Sequence, residues 1–278
     1  MSEDELMVLI ISACATGIFL LNWYHRLSKS LLPERNYMVR SVMRCLPIVS
    51  FVIMLFTLKI LASFDVKNDP VYITFYILLG YAWLLLGTIL MFRFFDLSWT
   101  DDVVNLNNKA ALIAISGGFI GLTLIYSGAN IGDGPGWWCV VFAGGIGLIF
   151  WVLLGDAVIA FAGVSERITV DRDIGCGIRF GLYLIASGII LGRASGGDWT
   201  SFKLTVIEFF DVYDKWPVLL LTIIASIIEK FYPRQPGKGE GSVVLYSVLV
   251  GAFYVFIAII SIVVAPSLPK NPFYRGVM

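Results

Sequence analysis

The sequence predicts an all-α integral membrane protein, with eight transmembrane helices arranged as four repeated helical hairpins and both termini outside the cytoplasm. Three observations predict it. Of the 278 residues, 58% are hydrophobic and only 14% are charged, whereas ordinary soluble domains carry about 25% charged residues. The apolar residues gather into eight runs, most of them near the roughly 20 residues that a helix needs to cross the hydrocarbon layer. Polar helix starts recur along the chain at nearly regular spacing. The twenty basic and twenty acidic residues cancel, so net charge points to no partner. No basic cluster is interleaved with aromatics as a nucleic-acid groove requires.

The runs are 6–24, 45–64, 71–92, 110–131, 137–162, 174–193, 216–231 and 243–265. In the first, "ISAC" at 11–14 faintly resembles a lipoprotein cleavage box. It lacks a basic leader and its apolar stretch is too short, so the run is kept as a span. The second carries Lys59 near its outer end, within reach of the interface. The fourth, "NNKAALIAISGGFIGLTLIYSGAN", is rich in glycine, a poor helix former in water. Lipid gives no hydrophobic push between helices, so small residues that let backbones touch become an asset there. Gly117 with Gly121 forms a small-xxx-small pair, as do Gly177 with Gly181, Gly188 with Gly192, and Ser247 with Gly251. These pairs make runs four and six the central helices; their glycines serve packing within the chain or contact between copies of a homo-oligomer. "GDGPG" at 132–136 is turn chemistry between runs four and five.

The seventh run is short. "TSFKLTVIEFFDVYDKW" before it places Phe202, Val206, Phe209, Phe210 and Tyr213 at helical spacing, with Glu208, Asp211 and Lys215 on another face. This predicts an amphipathic helix at the outer interface or a polar extension of the seventh span. Trp137, Trp138, Trp199 and Trp216 fall near the same boundary as interfacial anchors. Cys14, Cys45, Cys139 and Cys176 lie in or beside apolar runs without metal-ligand spacing, and are read as packing residues.

Orientation follows from the loops. Those after runs one, three, five and seven hold Arg26, Lys29, Arg35, Arg40, Arg44, Arg93, Lys109, Arg167, Arg172, Lys230, Arg234 and Lys238. The other side holds half as many basic residues: Lys67, Arg193, Lys203, Lys215, Lys270 and Arg275. The basic side is expected to be cytoplasmic, in the inner (plasma) membrane.

Four stretches repeat the hairpin, starting at Val39, Asn107, Asp171 and Gly239 and spaced 68, 64 and 68 residues apart. "NNKAALIAISGGFIGLTLIYSGA" and "SERITVDRDIGCGIRFG" resemble the bacterial inner-membrane family typified by YjfL. That family consists of four-helix domains of unknown function in which an Asn-led, Ala- and Gly-rich helix recurs. The resemblance covers 72–199 within a single membrane domain of 1–278. It implies a doubled family domain, with 6–64 and 216–265 as flanking, diverged hairpins. Asp171, Arg172 and Asp173 stand where the family tends to carry asparagine. The resemblance implies a fold and no activity.

Charged residues at membrane depth are costly unless they pair, snorkel or face water, so they are candidate functional residues. Lys59, Asp156 and Arg179 are the three. Asp156 and Arg179 lie at similar depth in one hairpin, which predicts an ion pair between them. Alternatively, Arg179 and Lys59 line a water-filled path that prefers anions.

Catalysis finds no support. His25 is the only histidine and lacks triad partners. "RQPGKGEG" at 234–241 follows no strand, so it is no phosphate loop. Glu229, the nearest second carboxylate for Asp156, sits close to a helix end. No cofactor or metal is expected. The leading expectation is an oligomeric, anion-preferring ion-conducting channel gated by a partner, as a stress or defence effector. A non-conducting scaffold that recruits a soluble cytoplasmic partner through loops 25–44 and 229–242 is the second reading. A small-solute secondary transporter is the third, weakened by the lack of a visibly interrupted span.

Overall fold

The computed structural model describes residues 1–29, 37–210, 212–232, 241–268 and 270, with the backbone alone for 212–215. The described residues are helical throughout, apart from connections and one isolated bridge between Ala62 and Gly132. The helices are α1 Glu3–Lys29, α2 Tyr37–Ile60, α3 Phe64–Asn68, α4 Pro70–Phe95, α5 Lys109–Ala129, α6 Trp137–Ala162, α7 Val164–Thr169, α8 Ile174–Ala194, α9 Phe202–Phe209, α10 Val212–Phe231 and α11 Gly241–Val264. A π-helical segment, Trp99–Asn105, precedes α5. Seven of these helices, α1, α2, α4, α5, α6, α8 and α11, are long and apolar enough to cross a membrane, and the chain is a multi-pass membrane protein. Each of the eight apolar runs falls for most of its length on a long helix, the seventh on α10, while the second runs past the end of α2 at Ile60.

Local chemistry sets the helix starts. Asp69 caps α4 by accepting from Val71 N, and Pro70 occupies the first turn, where its missing N–H costs nothing. Asn108 caps α5 by accepting from Ala110 N and Ala111 N. Asp173 caps α8 by accepting from Cys176 N. These last two caps belong to a wider correspondence between two halves. Asp96 and Gly163 end α4 and α6 in left-handed conformations, at φ 53° and 65°. A short helical segment follows each. Asn107 and Arg172 are then both left-handed, at φ 53°, immediately before the caps. At the far ends of α5 and α8, Gly132 and Gly197 take positive φ of 110° and 140°.

The packing follows the same correspondence. α5 and α8 lie side by side and form the most extensive contact in the molecule; α2 packs on α5 and α11 on α8, while α1 packs on α4 and α10 on α6. The pattern is an approximate two-fold relation that exchanges α4–α5 with α6–α8 and α1–α2 with α10–α11. α5 and α8 run parallel, because Gly117 meets Gly181 and Gly128 meets Gly192. A Cβ on Gly188 would stand 2.6 Å from the Cα of Gly121, so only glycine lets these backbones close. Gly177 abuts Ala110 and Gly181 abuts Ile113 in the same way. All six glycines singled out by sequence line this one intramolecular seam.

The segment before the seventh run is a helix of its own. Ser201 caps α9 by accepting from Leu204 N, and α9 ends at Phe210. Phe202 packs on Trp138 and Phe142 at the start of α6, while Phe209 and Phe210 pack on Phe150 two turns further along. α9 therefore descends beside α6 as a separate piece from α10. The side chains of Asp211, Tyr213 and Lys215 lie outside the described residues, as do 30–36 and 233–240 of the two basic loops.

Candidate functional site: a buried charge cluster

The charged residues converge at the basic end, where α1 finishes with Arg26 and Lys29 and α8 begins. Arg179, in the second turn of α8, is fully buried. Its Nε donates to Glu229 Oε1 at 2.5 Å and its Nη2 to Glu229 Oε2 at 2.8 Å. This is a forked guanidinium–carboxylate pair, the geometry in which arginine binds most strongly. Its Nη1 donates to Ser247 Oγ on α11 at 2.8 Å, and its guanidinium stands 4.2 Å from the centre of the Tyr232 ring. Arg167, on α7, is buried to the same degree. It donates through Nη1 to Glu229 Oε2 at 3.1 Å and to the Glu229 carbonyl at 2.8 Å, and through Nη2 to Asp173 Oδ2 at 2.8 Å.

Two arginines and two carboxylates thus form a closed, neutral unit. Asp173 and Glu229 are nearly inaccessible, at 0% and 3% exposure. Asp173 accepts from the α8 backbone through one oxygen and from Arg167 through the other. Ser247 faces α8 directly, since its hydroxyl would lie 2.7 Å from a Cβ on Gly175. The cluster therefore ties the ends of α7, α8, α10 and α11 together. Its one unsatisfied nitrogen is Arg167 Nε. Asn108 occupies the position of Asp173 in the other half, and there the contact to α7 is uncharged: Asn108 Nδ2 donates to the Ile168 carbonyl at 2.8 Å.

The structure separates the three charges that sequence singled out. Asp156 is partly exposed on α6 and makes no ion pair with a described residue. The expected Asp156–Arg179 pair is not formed. The inward face of α6 carries Gly147, Trp151 and Gly155, and Trp151 Nε1 donates to the Leu184 carbonyl of α8. Asp156 is off that face, and Arg179 takes its counter-ion from α10. Lys59 is exposed in the last turn of α2. It lies about 25 Å of helix rise from the level of Arg179, too far for the two to share a site.

Sequence reasoning missed the roles of Glu229, Arg167, Asp173 and Ser247. Glu229 is in the last turn of a helix whose following residues are polar, which made it look interfacial. The usable signal was the departure at 171–173, where a charged cap replaces the Asn107–Asn108 pair and demands a buried cation.

At the opposite end, the repeat-related turns meet. Asp133 N donates to Asp198 Oδ1 at 2.9 Å, Gly197 N to the Ile131 carbonyl at 2.8 Å, and Trp199 N to the Asp133 carbonyl at 2.7 Å. They border a cavity of about 60 Å³, also lined by Asn130, Thr205 and Glu208. Burial, reinforced by Asp198, raises the Asp133 carboxyl above its usual range. All four cysteines are free thiols, Cys139 and Cys176 buried and Cys14 and Cys45 exposed. No group of three metal-binding side chains occurs among the described residues.

Residues 50–195, more than half of the chain, match a family model described as Domain of Unknown Function (DUF350). The match begins within α2 and ends just after α8, so it holds the α5–α8 seam, Arg167, Asp173 and Arg179, while Glu229 and Ser247 lie beyond it. No curated protein and no solved structure matches the chain.

Proposed function

Starting from the fact that the chain belongs to this family of unknown function, we propose that it is a homo-oligomeric, ion-conducting membrane protein whose buried charge cluster holds the closed state. The supporting observation is the cluster itself. Two arginines and two carboxylates enclosed by protein where membrane-length helices end are expensive to maintain and mark a candidate functional element. Breaking one such pair while leaving its partner buried costs about 3–5 kcal/mol. A cluster that links α8 to α10 and α11 is thus suited to hold a two-state element in one arrangement. Glu229 balances Arg179, so the proposal carries no ion preference. It does carry eight crossings, with α10 as the seventh, termini facing away from the cytoplasm, a YjfL-like identity and residence in the plasma membrane. The positive-inside bias supports the crossings and the orientation, and the family match over 50–195 supports the family reading.

Reconstitution into planar bilayers tests the reading. The full chain should conduct, and Glu229→Gln should raise the open fraction. Silence from both proteins, with insertion verified, overturns it.

The sealed α5–α8 seam favours a second reading, a non-conducting scaffold. The glycine contacts leave no room for a path between the two central helices. A scaffold would bind a soluble partner through its basic loops. Neutralising Arg26, Lys29, Arg40 and Arg44 would then abolish capture of that partner without altering insertion, whereas the channel reading expects conductance to survive.

A further inference from the structure

A groove of about 350 Å³ opens at the basic end between α1 and α4, with the π-helical segment as its floor. Its two ends differ chemically. Phe19 on α1 and Leu85 on α4 line its deeper, apolar part, while Asn22, Arg26 and Asp101 line the shallow part, with Ile89 and Phe92 of α4 beside them. Phe19 and Arg26 are two turns apart on α1, about 10 Å along the helix. Such a step from apolar wall to cation matches the step from the first methylenes of a phospholipid to its phosphate.

The charges are available. Asn22 and Arg26 are exposed, one turn apart on the same face, and Arg26 makes no ion pair with a described residue. Asp101 accepts from Ser98 Oγ at 3.0 Å through Oδ2 and from Asn105 Nδ2 at 3.1 Å through Oδ1. A carboxylate has about four acceptor positions, so Asp101 retains capacity for a further donor. The groove thus presents one cation and one anion side by side at headgroup level.

We propose that the groove binds one phospholipid with a zwitterionic primary-ammonium headgroup, phosphatidylethanolamine. Arg26 and Asn22 hold the phosphate, Asp101 accepts from the ammonium, and an acyl chain runs inward past Phe92, Ile89 and Leu85 toward Phe19. Charge complementarity selects this occupant. An anionic glycerol headgroup would leave Asp101 unpaired beside a negative ligand. A choline headgroup has no N–H to donate.

The full chain is reconstituted in nanodiscs holding equal amounts of phosphatidylethanolamine, phosphatidylglycerol and phosphatidylcholine, then released and weighed by native mass spectrometry. One phosphatidylethanolamine should remain bound in preference to the others. Arg26→Ala should lower its retention roughly tenfold, the equivalent of one charge-assisted hydrogen bond. Asp101→Asn should abolish the preference over phosphatidylcholine. Because the Asp101 carboxylate also braces the local turn by accepting from Ser98 and Asn105, Ile89→Trp provides an independent arm: it fills the exposed groove and should expel the lipid without touching either charge. Equal retention of the three lipids by the unaltered chain overturns the proposal, as does unchanged retention in Arg26→Ala and Ile89→Trp.

Discussion

The two basic-end junctions of this molecule occupy corresponding places and are built from opposite chemistry. In the first half, α1, α2, α5 and the π-helical segment meet around aromatics. Trp23 stacks on Trp99 at 4.3 Å and packs on Phe119 at 5.3 Å, and its Nε1 donates to the Met43 carbonyl. In the second half, α7, α8, α10 and α11 meet around Arg167, Asp173, Arg179 and Glu229. Aromatic packing is tolerant, since contact area degrades gradually when shape changes. A buried ionic cluster is all-or-none, since each group depends on its partner. The repeat therefore supplies one scaffold whose two basic-end junctions are held by different chemistry, aromatic in the first half and ionic in the second.

The sharpest way to break that comparison is to remove one charge. Glu229→Leu strands Arg179 and leaves Arg167 with Asp173 alone. It should cost about 3–5 kcal/mol, read as a lowered midpoint of unfolding in mixed micelles. A loss below about 1 kcal/mol would place the cluster with ordinary surface pairs. The seam common to both halves gives the next effect. Gly117→Ala and Gly181→Ala each push a methyl against opposing backbone and should cost about 1–3 kcal/mol apiece. Gly117→Ala should lose the more, because its methyl would meet the Gly181 backbone more closely than a methyl on Gly181 would meet the Ile113 carbonyl. Trp23→Phe keeps the aromatic junction but removes one hydrogen bond and some volume. About 1–2 kcal/mol is expected, clearly less than for Glu229→Leu.

The smallest effect is at the far end, where Asp133 and Asp198 face each other across the repeat. Asp133 binds its proton more tightly folded than unfolded, because burial and Asp198 oppose its charge. Its contribution to stability is complete below the unfolded pKa and is lost as pH rises through the raised folded value. Asp133→Asn should therefore be relatively more stable at neutral pH, and the advantage should disappear on acidification. A pH-independent difference would contradict a raised Asp133 carboxyl in the folded protein.

Much of the fold was legible in the sequence because lipid makes its demands local. An apolar run must be a helix in hydrocarbon, and glycines such as Gly117 and Gly181 have to face another backbone to be useful. The approximate two-fold relation was legible only as spacing. Which hairpins exchange is decided by contacts between distant helices, such as the bond from Ser50 on α2 to Thr123 on α5. The charge cluster was half legible. Arg179 was conspicuous because it sits within an apolar run. Its partner was not, because depth along a helix says nothing about direction around it. Asp156 has the right depth and the wrong face, whereas Glu229 is supplied by α10, the next long helix in the chain. The break between α9 and α10 was hidden because "TSFKLTVIEFFDVYDKW" keeps helical spacing throughout.

The central claim is that Arg179 and Glu229 act as one unit. A double-mutant cycle with Arg179→Met, Glu229→Leu and the pair together, measured by reversible unfolding in micelles, tests it most directly. Each single substitution should lose about 3 kcal/mol or more, while the double variant should return close to the stability of the unaltered protein. Losses that simply add would show that the two side chains do not depend on each other, and would contradict the account.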